Sequence, residues 1–229
     1  MPLLPKRFKR LQSVLDHRMA DLTVVLENVE KPHNLSAILR TCDAIGVLEA
    51  HTICKTNKTA TFNSTAQGSQ KWVTLNDYSN IEIAIKSLKQ KGFKLYGTNL
   101  EMNSIDYREC NFLEPTAFVL GAEKWGISES TTKLMDQSIH IPMRGMVQSL
   151  NVSVAAAVLL SEALRQRQVA GITPEKGEGL NKELYNQKIF EWAYPEVANW
   201  CKAEGRKYPS INSEGEILED LPRTIKVHC

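Results

Sequence analysis

Residues 22–46 read LTVVLENVEKPHNLSAILRTCDAIG, and this stretch decides the fold class. Leu22 to Val29 is rich in Val and Leu and reads as a buried strand. Asn34 can cap a helix running to Ala44, and Gly46 lies just past its end, where a glycine commonly stops a helix. The alternation continues outward. A second strand is expected near Ala50–Cys54, after which the polar stretch Lys55–Ser69 is loop-like with room for a short helix. A helix near Ile81–Lys91 stops at Gly92, and strands follow at Phe93–Gly97, Thr116–Leu120 and Ser138–Ile141. Ser128–Met135 suits a short helix, and a long one runs from about Asn151 to Gln168. Strands alternating with helices over residues 22–168 predict an α/β domain, with a mainly parallel sheet and helices on both faces.

The flanks differ. From Phe8 to about Met19, the apolar residues Phe8, Leu11, Val14 and Leu15 recur at helical spacing with basic residues between them. Ala170–Gly179 holds three glycines and Pro174 without apolar periodicity, and reads as a hinge. Leu180–Trp192 and Glu196–Glu204 read as helices, whereas the last 25 residues have little pattern. Three segments are therefore expected: a basic helical extension over 1–20, the α/β domain over 21–169, and a helical extension with a tail over 170–229.

With 229 residues, 42% hydrophobic and 24% charged, the chain is an ordinary globular one. Its net charge of +2 does not announce nucleic acid. The first 18 residues do concentrate charge, with Lys6, Arg7, Lys9, Arg10 and Arg18 against Asp16 alone. Such an arm suits phosphate neutralisation, and equally a solvated amphipathic helix. The five cysteines, Cys42, Cys54, Cys110, Cys201 and Cys229, show neither C-x-x-C nor zinc-ligand spacing. Scattered thiols, no apolar segment behind the basic N-terminus and no membrane-length apolar run lead us to expect a cytoplasmic protein without a metal.

Common nucleotide and hydrolase fingerprints are missing. There is no G-x-G-x-x-G, no P-loop and no H-E-x-x-H, and Ser149 lacks the G-x-S-x-G elbow. Three constellations remain. The first is Lys31-Pro32-His33-Asn34 through Arg40. Asn34 and Arg40, six residues apart, lie about 120° apart around one helix, so Arg40 must reach round or face a neighbouring subunit. The second, Leu120-Gly121-Ala122-Glu123-Lys124-Trp125-Gly126-Ile127, ends a strand in a turn whose two glycines permit close approach to the backbone. The third is Ile141-Pro142-Met143 followed by Ser149-Leu150-Asn151 and a run of small apolar residues. Ser149 or Asn151 would cap the long helix there. Each block alone also has a plain structural reading: a cap, a turn, a buried helix start.

Together and in this order, the three blocks closely resemble the three motifs of the SpoU/TrmH branch of the SPOUT methyltransferases. The resemblance covers roughly residues 20–168. It extends to the subgroup acting on a D-loop guanosine (position 18) of tRNA, through the basic N-terminal helix, Arg165-Gln166-Arg167, and the tail from Tyr194-Pro195 through Tyr208-Pro209 to Gly215-Glu216-Ile217. It implies a C-terminal deep trefoil knot, S-adenosylmethionine as cofactor, transfer of its methyl group to a ribose 2′-hydroxyl, and a homodimer with active sites at the interface. The cofactor would lie among Thr98, Asn99 and Leu100, then Leu120, Gly121, Glu123 and Gly126, then Ile141, Met143, Ser149 and Leu150. Asn99 stands at a variable position of its loop.

The resemblance assigns Arg40 to activation of the hydroxyl, either as a literal base or as a charged stabiliser of the developing alkoxide. Asn34 would hold Arg40, Glu123 would serve the interface or substrate end of its motif, and Ser149 and Asn151 would position the ribose-phosphate. Candidate RNA contacts are Lys6, Arg7, Lys9, Arg10, Arg18, Lys31, His33, Arg165 and Arg167. Three rivals remain: an RNA-binding relative without turnover, the same chemistry on ribosomal RNA, and a small-molecule methyltransferase.

Overall fold

The computed structural model describes residues 4–53, 71–99, 103–122, 125–219 and 221. They divide into two compact units, one of residues 19–173 and one joining residues up to 18 with those from 174 onward. The two expected extensions are thus a single unit rather than two separate segments.

The larger unit runs β1 (Leu22–Glu27), α2 (Pro32–Ile45), β2 (Glu49–Ile53), β3 (Thr74–Tyr78), α3 (Ile81–Gln90), β4 (Lys94–Thr98), β5 (Ile105–Asp106), β6 (Thr116–Gly121), α4 (Glu129–Thr132), β7 (Gln137–His140) and α5 (Val152–Val169). Among the described residues the strands form one sheet in the order β3-β2-β1-β6-β4-β7-β5. Every neighbouring pair is parallel. Both central strands are buried along their whole length, as a parallel sheet covered on two faces requires.

Side-chain alternation divides the core. Val24, Leu26, Phe118 and Leu120 face one way, against Leu35, Ile38 and Leu39 of α2 and Ala156, Leu159 and Leu160 of α5. Val25, Ala117 and Val119 face the other way, against Ile81, Ala84, Ile85 and Leu88 of α3. Helix α2 begins earlier than Asn34. Pro32 takes the first turn, where its missing N–H is harmless, and Lys31 is the cap residue. Asn34 therefore lies inside the helix, 2% exposed, and its side chain is available for tertiary contact. Gly46, at φ 94°, ends the helix as expected. The stretch Lys55–Ser69 lies outside the described residues.

In the smaller unit, α1 (Pro5–Leu15) lies against α6 (Lys182–Ala193), which is followed by α7 (Pro195–Ala203). The Tyr185 hydroxyl donates to Asp16 Oδ1 at 2.8 Å, and that of Tyr194 to the Gly215 carbonyl at 2.7 Å. The described part of the tail thus has structure of its own despite its weak periodicity. Cys42, Cys110 and Cys201 are buried, and burial pushes the Cys110 thiol up to about 11, so it stays protonated. No helix among the described residues is long and apolar enough to cross a membrane.

Candidate active site

In parallel α/β sheets, ligands bind beyond the carboxyl ends of the strands, where the strand order reverses. Here β1, β2 and β3 step outward in one direction, and the chain then returns to lay β4 and β6 on the other side of β1. A cavity of about 340 Å³ opens at the carboxyl ends of β4, β6 and β7. Thr98 and Asn99 reach it from β4, Leu120 and Gly121 from β6, and Gly126 from the turn after β6. Ile141, Met143, Ser149 and Leu150 complete its rim between β7 and α5. Nine of the expected cofactor residues thus line one cavity, while Leu100 and Glu123 lie outside the described residues.

Ala122, Trp125 and Gln148, within the expected second and third loops, also line it; sequence reading missed Ile139 and His140 and the floor made by Val152, Ala155 and Leu159 of α5. The α5 signal was present, because positions 152, 155 and 159 fall on one helical face. His140 shares a 2.9 Å hydrogen bond between its Nδ1 and the Ser104 hydroxyl, a partner that local sequence does not reveal.

The turn after β6 explains its glycines. A Cβ on Gly121 would stand 1.9 Å from the carbonyl carbon of Gly126, so no other residue fits. Gly126 adopts φ 64°, in the left-handed region, and an isolated antiparallel bridge joins it to Ala122. The two stems of the turn touch, leaving its wall-forming backbone close to any ligand.

The first and third motifs meet directly. Asn151 caps α5, its Oδ1 accepting from Ser153 N at 2.8 Å and from the Ser153 hydroxyl at 2.6 Å. Its Nδ2 donates to Asn34 Oδ1 at 3.1 Å. A cap of this kind contributes about 1 kcal/mol, and here the same side chain also fixes α2 against the start of α5. Ser149 is exposed and Asn99 Nδ2 donates to the Thr132 hydroxyl at 3.3 Å.

Arg40 is not in this cavity. It is exposed and lines a separate open groove between α2 and α5, with Ala44, Ile45, Val154, Ala157 and Val158. Helix α5 separates the two sites, its 152/155/159 face toward the cavity and its 154/157/158 face toward the groove. Asn34 and Arg40 share α2 with one side chain buried and the other exposed, as their angular separation anticipated.

Of the proposed RNA contacts, Lys6, Arg7, Lys9, Arg10, Lys31 and His33 are exposed. Arg165 is exposed but held by Glu162 at 2.7 Å. Two do not fit that role. Arg167 is 1% exposed and donates to Asp21 Oδ1 (2.6 Å) and to the carbonyls of Asp21, Phe112 and Glu114 (each 3.1 Å). Arg18 is also 1% exposed, its guanidinium 5.3 Å from the Trp192 ring centroid. Burial withdraws both from phosphate.

Comparison with known proteins adds an independent finding. The SpoU rRNA methylase family matches residues 21–161, and the SpoU rRNA methylase C-terminal family matches residues 165–220. A tRNA (guanosine(18)-2′-O)-methyltransferase of Thermus thermophilus is 53% identical over 186 residues, covering 81% of this chain and 95% of the relative. The crystal structure of the A. aeolicus TrmH/SpoU tRNA modifying enzyme superposes with TM-score 0.77 at 40% identity, over 84% of this chain and 97% of that one. The SpoU methyltransferase AviRb of Streptomyces viridochromogenes, in complex with the cofactor AdoMet, gives TM-score 0.59 at 26% identity over 66% and 59% of the two chains.

Proposed function

The chain belongs to the SpoU methylase family, and within it we propose that it methylates the ribose 2′-hydroxyl of guanosine 18 in the D-loop of tRNA, using S-adenosylmethionine. The observation that carries this reading is the cavity at the ends of β4, β6 and β7, lined by the second and third motifs and tied to the first through the Asn151–Asn34 hydrogen bond. Its apolar walls, Leu120, Ile139 and Leu159, suit an adenine ring, and its polar rim, Thr98, Gln148 and Ser149, suits ribose and amino-acid groups. When bound, the cofactor supplies a methyl group already activated on a sulfonium.

The protein's own contribution is alignment and electrostatics. Attack by the 2′-oxygen must be in line with the methyl group, so both partners have to be held in register. Asn151 and Asn34 hold the cavity rim to α2, the helix that carries Arg40. A guanidinium offers hydrogen-bond donors and no acceptor, so Arg40 in this reading stabilises the developing oxyanion. Glu123 serves the substrate end of the second motif, and Ser149 positions the ribose-phosphate. The exposed cations of α1, with Lys31 and His33, supply phosphate contacts.

The reading extends to a homodimer with a composite active site, a deep trefoil knot at the end of the domain and a cytoplasmic location. Supporting the dimer, the groove beside Arg40 is an apolar helical face with Val154 46% exposed, of the kind an isologous contact covers. Arg40→Ala should nearly abolish methyl transfer to tRNA while leaving cofactor binding intact. Mixed with a second inactive variant blocked in the cavity, it should regain up to about a quarter of the sites if each site takes Arg40 from the partner. Unchanged turnover in Arg40→Ala would remove this residue from the reaction.

A further inference from the structure

We infer that Glu27 is a positioning residue for cofactor binding, the buried strut that fixes the turn between β6 and α4 in its ligand-facing shape. This rests on the reading that the cavity takes S-adenosylmethionine. Glu27 is the last residue of β1 and only 6% exposed. Its Oε1 accepts from the hydroxyls of Ser128 and Thr131, each at 2.8 Å, and its Oε2 accepts from the Ser128 backbone N–H at 2.8 Å. A carboxylate kept out of water is strongly disfavoured without such bonds, and charge-assisted ones are the strongest available.

The three donors are not scattered. Ser128 caps α4, and Thr131 lies one turn on, so Glu27 grips the exit of the turn that begins at Gly121. The entrance is fixed to the same strand, because Leu26 pairs with Leu120 and Glu27 with Gly121 in the β1–β6 register. Both stems of the turn are therefore referenced to the end of β1. Between them stand Ala122, Trp125 and Gly126, which form one wall of the cavity. Thr132, the next residue of α4, receives the Asn99 amide from the opposite wall. Glu27 is not among the residues lining the cavity and acts through the turn.

Only a carboxylate meets this arrangement. It can accept at both oxygens, whereas glutamine would turn an NH₂ toward one of the donors. Glu27→Gln should therefore let the exit of the turn drift and misplace the wall, while the rest of the sheet stays paired.

Calorimetric titration of the purified full chain with S-adenosylmethionine, and separately with tRNA, tests the inference. Glu27→Gln should weaken cofactor affinity about tenfold, with tRNA affinity and kcat at saturating cofactor within about twofold of the parent. Thr131→Val, which deletes one of the three bonds and keeps the fold if Glu27→Gln does not, should shift cofactor affinity the same way but less. A Glu27→Gln protein that melts lower yet binds the cofactor as the parent does would make Glu27 an ordinary fold strut and overturn the inference. Ala155→Phe, which fills the cavity floor, separates the two readings. If it abolishes cofactor binding while Glu27→Gln and Thr131→Val do not weaken it, only the Glu27 inference fails. If it binds cofactor normally, the cavity reading itself fails.

Discussion

Replacing Arg167 with methionine keeps most of the buried stem and removes the guanidinium, which separates two roles open to a cation near the end of α5. As a phosphate contact, Arg167 would contribute to RNA affinity and little to folding. As an internal strap, it would do the reverse. The guanidinium donates to one carboxylate and three backbone carbonyls, from Asp21, Phe112 and Glu114, and thereby ties α5 to the entrances of β1 and β6. The carbonyls of Asp21 and Glu114 keep the Thr116 backbone N–H and hydroxyl as donors, so the loss falls on the buried Phe112 carbonyl, at about 1–3 kcal/mol, and on breaking a buried charged cluster from one side, at about 3–5 kcal/mol. The Asp21 side chain is 47% exposed, so water relieves part of the loss. We expect Arg167→Met to lower stability by about 3 kcal/mol, measured by urea unfolding at fixed protein concentration. Asp21→Asn, which alters only the exposed partner, should cost under about 1 kcal/mol. In parallel, the slope of log affinity for tRNA against log salt should match the parent. Stability within about 1 kcal/mol of the parent, together with a slope reduced by about one, would refute the strap and restore the phosphate contact.

Other expectations follow from the same geometry. Gly121→Ala should destroy cofactor binding, because its Cβ meets Gly126 at 1.9 Å, whereas Gly145→Ala, with open space around it, should bind normally in the same titration. Asn151→Ser should preserve the α5 cap and most of the melting temperature. It should lower kcat, because serine lacks the amide donor that reaches Asn34; an unchanged kcat would detach that bond from function. His51 is buried on β2, and burial first, then nearby Lys91, lowers its pKa to about 4. The unfolded chain takes up this proton near the ordinary value of about 6.5, so this contribution to stability is full above that pH and is lost as pH falls toward about 4. His51→Leu should reduce the acid-limb loss by about 2–3 kcal/mol, read as the difference between parent and variant unfolding curves at pH 7 and pH 4.5.

Much of the fold was legible because its central strands are simple. Leu22–Glu27 and Thr116–Gly121 are buried on both faces, so their apolar character is continuous and their ends are marked by polar residues and glycine. The edges were not legible for the opposite reason. Thr74–Tyr78 is an edge strand of mixed polarity and partial exposure, and Ile105–Asp106 is only two residues long. Neither presents a periodicity to read. At the site, the motif residues were visible, but what they bond to was not. Asn34 resembles a helix cap in sequence, yet its partner is Asn151, 117 residues away. Arg167 and Arg18 look like surface cations until chain folding brings Asp21 and the strand-entrance carbonyls to one, and Trp192 to the other. Sequence spacing carries local geometry; burial of a charge depends on distant partners that spacing does not encode.

Transfer of labelled methyl from S-adenosylmethionine to unmodified tRNA, with nuclease mapping of the product, tests the proposed reaction itself. Label is expected on the 2′-oxygen of guanosine 18, and none when Arg40→Ala replaces the parent protein. Unlabelled tRNA beside labelled ribosomal RNA would contradict the assigned substrate. Label on no RNA, with no binding of the cofactor, would contradict the reaction itself.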